Sequence, residues 1–107
     1  PKRFDIVVVD LEDEKVIKRV IGLPGETIEY RDNTLYVNGK KVKENIKEVD
    51  TADYESGKIP KDSYLVLGDN RPISKDSRMI GLIDEKDILG KAVYRIWPIS
   101  KFGNIYN

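Results

Sequence analysis

The 107 residues carry 19 Lys plus Arg against 19 Asp plus Glu, so no net charge builds a long-range field for nucleic acid or an acidic membrane surface. The chain has no Cys and no His, which excludes a disulfide framework, thiolate chemistry, the usual general base and the commonest metal ligand; neither cofactor nor metal is expected. Its length sets one domain, with no repeat, low-complexity tract or linker dividing it.

Taken in order, Phe4 to Val9 is a short β-branched run, the pattern of a buried strand. The acidic turn from Leu11 to Glu14 leads to a second strand, Lys15 to Ile21. Pro24-Gly25 is a turn dipeptide, Pro presetting φ and Gly accepting the positive φ that a type II turn demands. Thr27 to Tyr30 and Leu35 to Val37 flank Asp32-Asn33, and Asn38-Gly39 precedes Lys40 to Val42; successive hairpin signals of this kind predict a β-meander. From Lys43 to Asp62 the pattern dissolves into charge and reads as a surface loop within the domain, with no chemistry assigned to it. Strands are expected again at Ser63 to Leu67 and at Val93 to Trp97, with one helical turn from Asp84 to Ile88 capped by Asp84 and broken by Gly90. The fold class is therefore all-β, with coiled antiparallel sheets or a small, partly open barrel.

Two polar features stand in apolar places. Lys18 lies inside the run Val16 to Ile21, where alternation puts Val16, Lys18 and Val20 on one face and Ile17, Arg19 and Ile21 on the other. Such cations can protect an edge strand from pairing with another chain. Alternatively, a buried amine whose pKa falls well below the ordinary value of about 10.4 can serve as a general base. The second feature is the box from Gly68 to Arg78, which follows a core strand directly. Its acids, arginines and serines can form a solvated loop of Asx turns, or a built polar site.

Together these stretches resemble bacterial type I signal peptidases, membrane-bound Ser/Lys proteases. Arg3 to Val9 is similar to the family's Gly-Asp-Ile-Val-Val strand, with Phe4 where Gly is usual. Lys18-Arg19-Val20-Ile21-Gly22-Leu23-Pro24-Gly25-Glu26 resembles the box of the general-base lysine. Gly68 to Arg78 resembles the family's last box, with Ile73 where Asn is common. No segment resembles the nucleophile box, a Ser-x-Met-x-Pro pattern; the only methionine is Met79.

The resemblance implies catalytic roles for Lys18, as base, and for Ser74, whose hydroxyl would orient it. Arg19, Asp69, Arg71, Asp76 and Arg78 would support the site, with Asp76 and Arg78 as an ion pair and Asp69, Arg71 and Arg19 as the surrounding network. Val8 and Ile17, with Val16 beside them, would line shallow pockets for the small residues of an extended signal peptide. Signal peptides of secreted preproteins are the implied partners, and nucleic acid is not one. No apolar run approaches the roughly 20 residues needed to span a bilayer, and the chain begins at Pro1. It therefore reads as the C-terminal part of a catalytic domain whose anchor and serine precede it, held on the extracytoplasmic face of the cell membrane and inactive alone. Without upstream strands, the runs from Phe4 to Val9 and from Lys15 to Ile21 are expected to keep unpaired edges, through which the chain self-associates. The competing readings are a non-catalytic homologue or β-rich peptide-binding module, and a self-cleaving repressor-type Ser/Lys protease. The latter group does not share the Gly68 to Arg78 box.

Overall fold

The apolar runs become the strands of two antiparallel sheets in a computed structural model that describes residues 1–46, 50–72 and 75–91. The strands are β1 (Ile6–Asp10), β2 (Lys15–Gly22), β3 (Thr27–Arg31), β4 (Thr34–Val37), β5 (Lys40–Val42), β6 (Tyr54–Lys58), β7 (Ser63–Leu67), β8 (Ile83–Asp84) and β9 (Ile88–Lys91), with one short helix, α1 (Ser77–Ile80). The first sheet has five strands in the order β8-β7-β2-β1-β9, and the second has four in the order β5-β4-β3-β6. The all-β class holds in its two-sheet form; among the described residues no barrel closes.

Turn chemistry sets the meander. Asp32 and Asn33, then Asn38 and Gly39, all take positive φ (51°, 60°, 52° and 82°), the twist that two-residue hairpin turns require. Gly25 has φ 85°, and the Glu26 N–H closes the turn on the Leu23 carbonyl at 3.1 Å. β1 and β2 then form a hairpin in which Val7 faces Lys18, Val8 faces Ile17 and Val9 faces Val16.

The central strands of the first sheet, β1, β2 and β7, are buried on both faces, which is why they read as continuous apolar runs. On one face Ile21, Leu65 and Leu67 pack with Ile28, Tyr30, Leu35 and Val37 of the second sheet and with Ile59. On the other, Val7, Val9, Val16, Val20, Tyr64, Val66 and Ile83 form a second cluster, joined at its margin by Ile80 of α1.

Several expectations need correction. β1 lies between β2 and β9, so it has no unpaired edge, whereas β2 pairs with β7 only from Arg19 to Gly22 and the described strands leave its Lys15 to Lys18 stretch paired with β1 alone; the strand-addition argument for self-association is narrowed to that stretch. The edge-strand explanation of Lys18 fits poorly for a different reason: the residue is buried, and a cation that guards an edge stays in water. The stretch from Lys43 to Asp62 contains β6, whose polar sequence is held by pairing with β3 rather than by an apolar pattern. Gly90 does not break a helix but continues β9, which pairs with β1 across a register shift between Val8 and Val9. A 3₁₀ turn does span Glu85–Asp87 after Asp84, but the Asp84 side chain makes no capping hydrogen bond. The strand expected from Val93 to Trp97 lies outside the described residues.

One close approach lends itself to test. A Cβ on Gly22 would lie 2.6 Å from Ile59 Cδ1, 2.7 Å from Ile28 Cγ1 and 3.1 Å from Leu65 Cβ. Gly22→Ala is expected to destabilise the fold by about 1–3 kcal/mol through overpacking, read as a lower denaturant midpoint.

Candidate functional site

Lys18 sits in the middle of β2, in the interior of the first sheet, and its side chain is only 3% exposed. Alternation places it on the face of Val16 and Val20, opposite Val7. Burial is the largest influence on the amine and lowers its pKa, because the ammonium form loses hydration. The carboxylates of Asp76, Glu14 and Asp69 oppose that shift and the Arg78 cation adds to it, leaving the pKa lowered.

The box from Gly68 folds back on the strand that delivers it. Asp76, fully buried, accepts from the Gly68 N–H at 2.9 Å and caps α1 by accepting from the Arg78 N–H at 3.1 Å. Arg78 also grips it with two parallel side-chain bonds, Nε to Oδ1 at 2.9 Å and Nη2 to Oδ2 at 2.8 Å. The Val66 N–H donates to Ser77 Oγ at 2.9 Å, tying the start of α1 to β7. A solvated loop would not bury Asp76, Ser77 and Arg71 together.

Arg19, on the opposite face of β2 from Lys18, forks onto Asp69 (Nε to Oδ1 2.9 Å, Nη2 to Oδ2 2.7 Å). Its Nη1 donates to the Phe4 carbonyl at 3.0 Å, while the Phe4 N–H donates to Val20 at 2.6 Å. Phe4 is thereby held at φ 72°, a region that favours glycine and that a bulky residue enters only under strain.

The expected network of Asp69, Arg71 and Arg19 is split. Asp69 serves Arg19, whereas Arg71 turns towards the second sheet and meets Glu44 (Nη2 to Oε2 2.9 Å), Thr51 (Nη1 to Oγ1 2.9 Å) and the Tyr30 hydroxyl (Nη1 to Oη 3.2 Å). Burial pushes the Tyr30 hydroxyl well above its ordinary pKa, so it stays a neutral phenol beside the guanidinium. Glu44 and Thr51 lie in the stretch read as a featureless loop, and nothing in its spacing singles them out.

Val8 and Ile17 are direct cross-strand neighbours on one face of the sheet, both buried. Val16 belongs to the other face, among Val7, Val9 and Val20, so a pocket on the face of Val8 and Ile17 does not include it. Ser74 lies outside the described residues. Among the described residues no group of acids could hold a metal ion, and no helix is long and apolar enough to cross a membrane.

Fold and site thus define a two-sheet antiparallel β domain built round a buried lysine, with ion pairs bracing the polar box beside it. The family model for signal peptidase, peptidase S26, matches residues 1–97, and the chain belongs to that family. It is 44% identical over 115 residues to signal peptidase IB of Staphylococcus aureus (strain Mu50 / ATCC 700699), covering 90% of this chain and 60% of the relative. It is 43% identical over 114 residues to signal peptidase I of Bacillus licheniformis, covering 94% of this chain and 61% of the relative. The chain therefore spans about 60% of the length of the curated relatives it matches. A crystal structure of a signal peptidase I from Enterococcus faecalis V583 superposes with a TM-score of 0.80 at 39% identity, covering 87% of this chain and 97% of that chain.

The Asp76 carboxyl gives a pH-dependent test. Burial alone would raise its pKa, but the Arg78 guanidinium and the Gly68 and Arg78 N–H groups more than offset this and lower it. The ionised group therefore contributes stability that is fully present above the ordinary carboxyl pKa of about 3.9 and is lost as pH falls through the lowered folded value. Asp76→Asn is expected to cost about 3 kcal/mol at neutral pH, because it strands the Arg78 charge. The gap from the parent should narrow in acid, as measured by denaturant melts across a pH series.

Proposed function

We propose that this chain is the base-bearing part of a serine endopeptidase that removes signal peptides from exported preproteins. The observation that carries the proposal is Lys18: an amine buried in a β-sheet, with its pKa lowered by desolvation, beside a box held by ion pairs. A neutral lysine near physiological pH can take the proton of a serine hydroxyl as that oxygen attacks the scissile carbonyl. The resulting ammonium then returns the proton to the departing amine. Arg19 is unsuited to this exchange, since a guanidinium does not give up its proton.

The serine itself is assigned to sequence beyond these 107 residues, in keeping with the share of its relatives that the chain spans. On this reading the chain alone cleaves nothing. An anchor in the same outlying sequence holds the domain on the extracytoplasmic face of the cell membrane. Ser74 is proposed to hydrogen-bond Lys18 and aim it. Val8 and Ile17, paired on one face of the hairpin, are proposed to wall a shallow apolar pocket that admits small side chains and excludes bulky ones by strain. Val16 is left out of that wall.

The test is turnover of a signal-peptide substrate by the protein complete with its serine. Lys18→Ala is expected to fall to background, whereas Ser74→Ala keeps a slow but measurable rate, because an orienting group tunes a base that is still present. Parental turnover by Lys18→Ala would overturn the reading. The pH profile carries a matching sign: burial lowers the Lys18 pKa, so activity should rise with pH through a value below the ordinary lysine range.

A further inference from the structure

The buried guanidinium of Arg71 finds its carboxylate partner on the second sheet's side of the molecule. Its side chain is fully buried, and Glu44, itself 10% exposed, supplies the carboxylate at 2.9 Å. Arg71 also holds both ends of the box. Its Nε donates to the Gly68 carbonyl at 2.6 Å, and its own carbonyl accepts from Arg78 Nη2 at 2.7 Å. Gly68 in turn donates to Asp76, and Arg78 grips the same carboxylate. From Glu44 the chain of contacts thus runs through Arg71 to the Asp76–Arg78 pair. Among the described residues, the charged groups that act on Lys18 include those two residues, with Asp69 from the box and Glu14 from the β1–β2 turn.

From this geometry we infer that Glu44 is a positioning residue of the lysine site: by neutralising buried Arg71 it holds Gly68 and the Asp76–Arg78 pair in place where β7 leaves β2, next to Lys18. Thr51 and Tyr30 bond the same guanidinium but are neutral acceptors and cannot balance its charge. Without the carboxylate, a buried cation is left uncompensated, and its cheapest relief is to swing towards water. That movement breaks the bond to Gly68, loosens the Arg78 anchor and lets water reach the amine. Because burial is the largest influence on Lys18, hydration raises its pKa towards the ordinary value even though Asp76 also recedes. The segment carrying Glu44 bears no catalytic motif, and its part in the site is to set the dielectric around the base.

The inference rests on the reading of Lys18 as the base, but its test does not use activity. The Lys18 side-chain amine is titrated by NMR through its ¹³Cε shift in the parent, Glu44→Gln and Glu44→Asp. Glu44→Gln keeps the shape and removes the charge, and it is expected to move the Lys18 midpoint upward. Glu44→Asp, which keeps the charge, should restore much of the parental value. A Lys18 midpoint unchanged in Glu44→Gln overturns the inference. A parental midpoint at the ordinary lysine value would instead sink the general-base reading, and the difference between parent and Glu44→Gln would still decide the role of Glu44. Should Glu44→Gln not fold, the double variant Glu44→Gln/Arg71→Gln carries the comparison, since it strands no buried charge yet removes the Arg71 anchor to Gly68. An upward Lys18 midpoint in the double variant supports the inference, and an unchanged one contradicts it, because Glu44 reaches Lys18 only through Arg71.

Discussion

The structure turns on the desolvation of one amine. Placing Lys18 inside a sheet costs free energy as long as the amine is charged, and the sheet reduces that cost by favouring the neutral form. A lysine in an exposed strand would stay protonated and could not accept a proton near neutral pH. The apolar residues around it, Val7, Val16, Val20 and Val66, therefore do more than fill a core. They hold the medium in which burial lowers the pKa of the amine.

Acids close to such an amine work against this, and Asp76 does so directly. The arrangement tolerates Asp76 because Arg78 takes up both of its oxygens, leaving less negative field for the lysine. Asp69 is likewise committed to Arg19 on the other side of β2. Each carboxylate of the box is thus paired, and the pairs fix geometry more than they add stability, since desolvation offsets much of their Coulomb attraction. Membership of the signal peptidase family gives this arrangement its chemical sense.

Much of this was legible in the sequence because local chemistry and tertiary demand agree. Asp32-Asn33 and Asn38-Gly39 announce their turns, and the runs around Val7, Val20 and Leu65 read as strands because both faces of that sheet are covered. Lys18, Asp76 and Arg78 stood out by motif. The misses share a cause, which is that pairing partners far along the chain leave no trace in local pattern. β6 has the composition of a loop, takes a positive φ at Gly57, and exists because β3 offers it an edge. β9 keeps its Gly90 because β1 does the same. Glu44 is one acid in a charged stretch until the fold brings Arg71 to it. The face of Val16 is a different kind of miss, since period-2 alternation already separates it from Ile17 and the motif position alone grouped them.

The central claim is that the proton lost from Lys18 is the one that gates cleavage. Because the chain has no cysteine, Lys18→Cys followed by aminoethylation would install, at that site alone within it, an amine of nearly the same length and lower basicity. The decisive measurement is the pH dependence of kcat/KM for the protein complete with its serine, before and after that exchange. The account predicts that the acid limb of the profile moves to lower pH with the new amine. An acid limb that stays in place would mean that another group carries the proton.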